Sequence, residues 1–84
     1  MKLKKLDVMK LNDFIQNFAD QFDDTDAEEF KADTNLKDLE EWSSLNALSV
    51  ISMVDDEYDV SLKGDDIISS NTIEDLYNLV KSRM

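Results

Sequence analysis

Chemistry has few places to sit in this chain. Its 84 residues include 20 carboxylates and 9 lysines or arginines, but no histidine and no cysteine. The commonest general base and metal ligand is therefore missing, as are the thiol nucleophile, the thiolate metal ligand and the disulfide. Two acidic clusters invite a calcium reading. Asp24-Thr25-Asp26-Ala27-Glu28 starts like an EF-hand loop, but Glu29 stands where that loop needs glycine and Asn35 where it needs glutamate. Asp55, Glu57 and Asp59 repeat the spacing with Val60 in the glycine position. A solvated acidic face accounts for both clusters. The remaining candidate is Ser43-Ser44-Leu45, a serine pair at the start of an apolar helical pattern. A serine there can cap a helix, because its oxygen accepts an otherwise unpaired amide hydrogen of the first turn.

The elements that must position these residues read as helices. Leu11, Phe14, Ile15, Phe18, Ala19 and Phe22 fall at i, i+3, i+4, i+7, i+8 and i+11, one face of a helix whose core residues are Phe14, Phe18 and Phe22. Asp23-Asp24-Thr25-Asp26 ends it, since such residues bond their own backbone and favour turns. Residues 23–43 form a long connection in which Phe30, Leu36, Leu39 and Trp42 are apolar pins to the domain. A second helix follows from Leu45 through Leu48, Ile51, Val54 and Tyr58, broken by Asp59-Val60-Ser61-Leu62-Lys63-Gly64 with the sole glycine at its end. Asp65-Asp66-Ile67-Ile68 makes one short helical turn, and Thr72-Ile73-Glu74-Asp75 reads as a capping box with Asp in the Glu position. Ile73, Leu76, Tyr77 and Val80 give the last helix its stripe. The fold expected is a small all-α four-helix bundle: three main helices, one short helix and a long first loop.

Size and charge narrow the function. A chain this short forms one small domain with a thin core, so a large internal active site is not expected. The net charge is −11, and Lys2, Lys4, Lys5 and Lys10 against Asp7 leave residues 1–10 at +3 and the rest at −14. That sign disfavours binding to nucleic acid or an anionic membrane and favours basic protein partners. No apolar run follows the N-terminal lysines as a signal peptide requires, and none reaches the length of a membrane span, so the expected location is cytoplasmic. Met9-Lys10-Leu11 echoes Met1-Lys2-Leu3. Residues 1–8 are accordingly expected to be a mobile basic arm before a helical domain over residues 9–84.

The stretch Leu36-Lys37-Asp38-Leu39-Glu40-Glu41-Trp42-Ser43-Ser44-Leu45-Asn46-Ala47-Leu48 resembles the signature of acyl carrier proteins. That family carries an Asp-Ser-Leu motif here, often preceded by tryptophan, whose serine receives 4′-phosphopantetheine. The resemblance continues through Asp55-Asp56-Glu57-Tyr58-Asp59-Val60, Asp65-Asp66-Ile67-Ile68 and Thr72-Ile73-Glu74-Asp75-Leu76, covering residues 11–80. It implies a right-handed bundle and a carrier that does no catalysis itself, with Ser44 as the attachment serine because Leu45 follows it directly. The arm, donated from coenzyme A by a phosphopantetheinyl transferase, would end in a thiol that tethers acyl groups as thioesters. Acyl-loading and synthase enzymes of fatty-acid, polyketide or related biosynthesis, each with a basic docking patch, would then use the carrier as a monomer. The family's aspartate before the serine is Ser43 here, and Asn46 and Ser49 stand where carboxylates are common. Acid instead lies at Asp38, Glu40 and Glu41 before the serine and at Asp55, Asp56 and Glu57 after it.

By the same resemblance Val50, Ile51, Val54 and Tyr58 point inward, while Leu45, Leu48 and Ser52 lie toward partners. Periodicity alone would bury Leu48. Trp42 reads either as a staple across the helix start or as a partner contact. The expected partner-binding set is Glu40, Glu41, Trp42, Leu45, Leu48, Asp55 and Asp56. An acidic helical adaptor without cofactor, a metal-binding acidic domain and an aminoacyl or peptidyl carrier are the alternatives.

Overall fold

The computed structural model describes the backbone of residues 2–23 and 25–84, and the side chains of residues 11–23, 25–26 and 28–84. Four α-helices follow one another: α1 Lys2–Ala19, α2 Ser44–Tyr58, α3 Gly64–Ser69 and α4 Ile73–Ser82. There is no strand among the described residues; one isolated antiparallel bridge joins Asn35 to Thr72. The bundle and the long first loop are those expected from the sequence.

The apolar stripes meet in one core. Phe14 and Phe18 of α1, Val50 and Val54 of α2, and Ile73, Leu76 and Val80 of α4 are at most 1% exposed. Ile67 from α3 and the loop residues Phe30, Leu36 and Leu39 are buried with them, so three of the four expected pins hold the loop fully. The fourth, Trp42, is half-buried, its ring stacked 6.3 Å from Phe18 and 6.2 Å from Phe22. Phe18, Phe22 and Phe30 are mutually in contact at centroid distances of 5.2, 5.9 and 5.1 Å. Such ring pairs contribute roughly 0.5–1.5 kcal/mol each beyond the area they bury. The opposite end is closed by Phe14 against Tyr58 and Tyr77.

The bounds of α1 differ from the sequence expectation at both ends. The helix ends at Ala19 rather than Phe22, because the chain tightens into i to i+3 bonds there. The Gln21 N–H donates to the Phe18 carbonyl and the Phe22 N–H to the Ala19 carbonyl. Phe22 thus enters the core from a turn. At the other end the backbone is helical from Lys2, across most of the expected arm at 1–8; Met1 and the side chains through Lys10 lie outside the described residues.

Capping chemistry sets the remaining ends. The Asp59 N–H closes α2 on the Asp55 carbonyl, with Asp59 itself left-handed at φ 56° and ψ 40°. Aspartate tolerates that region better than most residues. The sole glycine does not terminate α2; Gly64 opens α3 at an ordinary negative φ. Helical geometry through Tyr58 also puts Asp55 and Glu57, two residues apart, on different faces. The expected box at α4 is present, with the Asp75 N–H donating to Thr72 Oγ1 and the Thr72 N–H to Asp75 Oδ2, both at 3.1 Å. The loop is laced to this end: the Leu36 N–H donates to the Asn71 carbonyl, the Ile73 N–H to Thr34 and the Glu74 N–H to Ala32.

At α3, Asp66 accepts the Lys63 N–H and a two-pronged bond from Arg83, at 2.8 and 2.9 Å. The Arg83 guanidinium, helped by the Lys63 N–H, holds the Asp66 carboxyl below the usual carboxylate range. A lowered acid stabilises the fold above its unfolded pKa, about 3.9 for aspartate, and loses that effect as pH falls through its folded value. Urea titrations of wild type and Arg83→Ala should therefore differ at neutral pH and converge in acid below that value. Phe18→Ala, which removes a ring touching three others, should cost about 3–5 kcal/mol. Urea denaturation followed by circular dichroism should then show the midpoint fall sharply, since small domains hold only about 5–15 kcal/mol in total.

Candidate functional site

The start of α2 is built by two residues that surround Ser44. Ser43 is the N-cap in extended geometry (φ −154°, ψ 175°), and its Oγ accepts a long bond of 3.4 Å from the Asn46 N–H. Its own hydroxyl donates to Asn46 Oδ1 at 2.8 Å. Asn46 then reaches across the fold, its Nδ2 donating to the Gln21 carbonyl at 3.3 Å. A neutral tie thus fixes the first turn of α2 to the chain just after α1. Ser44, the first helical residue, is exposed, and no hydrogen bond engages its hydroxyl among the described residues.

Ser44 borders a groove of about 490 Å³, within the usual size range for ligand pockets. Ser44, Ala47, Leu48 and Ile51 of α2 form one wall and Gly64, Ile67 and Ile68 of α3 the other. Leu36, Lys37, Trp42 and Ser43 come from the loop and Ser70 from beyond α3. The surface is mostly apolar. No charged side chain occurs in residues 44–54, so the serine meets the positive end of the helix dipole with no carboxylate on that turn.

The other expected site residues scatter. Leu45 and Leu48 are 76% and 61% exposed, which resolves Leu48 as a surface residue rather than core. Trp42 both packs on the core and lines the groove. Asp55, Asp56 and Glu57 are exposed at the far end of α2, about 16 Å along the axis from Ser44. Glu40 is exposed but borders a separate depression with Asp38, Asp26 and Glu29. Glu41 is turned into the loop, accepting from Thr25 Oγ1 at 2.7 Å and from the Asp23 N–H at 3.1 Å. Among the inward positions Val50 and Val54 are fully buried, while Ile51 is half-buried along the groove. Tyr58 is half-buried with its oxygen bonded by Asn17 Nδ2, and desolvation raises its pKa.

Sequence reasoning missed Lys37, Gly64 and Ile68 as groove residues, and Met53 as a core one. Ile68, 66% exposed, had a readable signal: Ile67 and Ile68 are adjacent on a six-residue helix and cannot both face inward.

The described residues form a small helical bundle with an exposed serine at a helix N-terminus beside an apolar groove. Residues 6–80 match the family described as Phosphopantetheine attachment site. The chain belongs to that family and is a phosphopantetheine-bearing carrier domain, its cofactor the covalently attached 4′-phosphopantetheine. No curated protein and no solved structure matches the chain.

Because Ser43 and not Ser44 supplies the cap, Ser43→Ala should lower stability by about 0.5–1 kcal/mol. Ser43→Asp, which keeps a capping oxygen, should retain it. Chemical denaturation of the two variants beside wild type makes the comparison.

Proposed function

We propose that Ser44 bears the 4′-phosphopantetheine and that the chain is an acyl carrier. The observation that supports this most is the exposed, unbonded Ser44 hydroxyl at the first position of α2, on the groove and within the matched span. When bound, the group supplies a thiol at the end of a flexible arm, which holds acyl cargo as a thioester at high effective concentration. The chain's own contribution is placement. The Ser43–Asn46–Gln21 tie orients the first turn, whose amides suit a phosphate ester. The apolar walls of the groove offer contact to what lies beside the serine.

The partners are a phosphopantetheinyl transferase and the acyl-loading and synthase enzymes of fatty-acid, polyketide or related biosynthesis, acting on a cytoplasmic monomer. Leu45, Leu48 and Trp42 supply apolar contact beside the serine, and Asp55 and Asp56 meet basic groups on the partner. Glu40 adds charge from the adjoining surface, while Glu41 serves mainly to hold the loop. The first turns of α1, which run through residues 2–8, are not needed for modification.

Incubation with coenzyme A and a broad-specificity transferase, followed by intact mass, tests this directly. Wild type should gain one phosphopantetheine, Ser43→Ala should gain it too, and Ser44→Ala should gain none while keeping its helix content. A gain that survives in Ser44→Ala would move the site to Ser43. No gain on folded wild type would favour a cofactor-free acidic adaptor.

A further inference from the structure

Among the described residues, Lys37 is the only charged side chain on the groove that Ser44 borders. Its backbone is fixed by the two residues before it. Leu36 is buried in the core at 1% exposure, and the Lys37 N–H donates to Asn35 Oδ1 at 3.0 Å. Among the described residues the Lys37 ammonium has no ion-pair partner. This is unusual ground for a lone cation in a chain of net charge −11.

The neighbouring acids face elsewhere. Asp38 and Glu40 border the separate depression shared with Asp26 and Glu29. Glu41 is taken up by Thr25 and the Asp23 N–H. From α2 no carboxylate arises before Asp55, and from α3 Asp66 is held by Arg83, with neither Asp65 nor Asp66 on the groove. The residue before the attachment serine is the neutral Ser43, bonded to Asn46. An anion placed on Ser44 therefore finds one mobile counter-charge on its own groove, and its competitors are turned away.

We propose that Lys37 is the counter-charge of the phosphodiester on Ser44 and draws the pantetheine arm along the apolar groove instead of out into solvent. The inference rests on the reading of Ser44 as the attachment site. Lys37 acts here as a positioning residue: a long stem lies on the apolar wall while the ammonium reaches the phosphate. Such an exposed pair shifts the arm toward the groove by about two- to fivefold, and salt weakens it.

The chain's only tryptophan, Trp42, lines the same groove and reports whether the arm covers it. Wild type, Lys37→Gln and Lys37→Arg are each modified with coenzyme A and a transferase, with intact mass verifying the product. Acrylamide quenching of Trp42 is then compared between each modified protein and its own unmodified form, which cancels any effect of the substitution alone. Modification should protect Trp42 in wild type and in Lys37→Arg. Protection should fall about two- to fivefold in Lys37→Gln, and in wild type at about 1 M salt, where the Debye length shrinks to about 3 Å. Equal protection in Lys37→Gln, or none in wild type, overturns the Lys37 contact while leaving the attachment site standing. Absence of the mass gain overturns the attachment site itself, and the contact with it.

Discussion

The aromatic cluster between α1 and the long loop is the constraint on which the region around Ser44 depends. Trp42 stacks on Phe18 and Phe22, one residue before the cap of α2. Phe30 fills the third side of the same cluster. These rings fix where the loop ends and therefore where α2 begins. Asn46 repeats the anchorage in polar form through its bond to the Gln21 carbonyl. With the loop end held both ways, an exposed serine is carried on a rigid base. The flexibility a carrier needs can then reside in the attached arm rather than in the protein.

A thin core explains why so much of the loop is ordered. Four short helices alone bury little surface, and the domain recruits Phe30, Leu36 and Leu39 from the connection to complete its interior. Hydrogen bonds from Leu36, Ile73 and Glu74 then satisfy backbone groups that the buried side chains pull inward. The acidic side chains take the outer surface, where water screens their repulsion. Around Ser44 that pattern is interrupted by a neutral, partly apolar face comprising Leu45, Leu48 and Ile68. Apolar surface thus lies beside the serine and the α2 carboxylates at a distance from it.

Helix order, the stripes of α1 and α4, the loop pins and the Thr72–Asp75 box were all legible, because each depends on local spacing or on the chemistry of adjacent residues. Ser44 stood out through its family resemblance more than through its own chemistry, since any serine before a helix reads as a cap. The directions of the loop acids were not legible. Asp38, Glu40 and Glu41 form one acidic run in sequence, yet Glu41 folds onto Thr25 and the other two border a different depression from Lys37. Only tertiary contacts settle which way such residues turn. The same limit hid the end of α1, where Phe22 keeps its buried place after the helix has stopped.

The Asn35–Thr72 bridge and its flanking hydrogen bonds carry a consequence for biosynthesis. The loop that delivers Ser44 to its position is stitched to the start of α4, and Phe14 of α1 packs on Tyr77 of α4. Those partners lie far apart along the chain, and such long-range closures form late in folding. A nascent chain still holding α4 inside the ribosomal tunnel lacks both the clasp on the loop and one side of the core. The start of α2 therefore reaches its final setting only once α4 has emerged and docked.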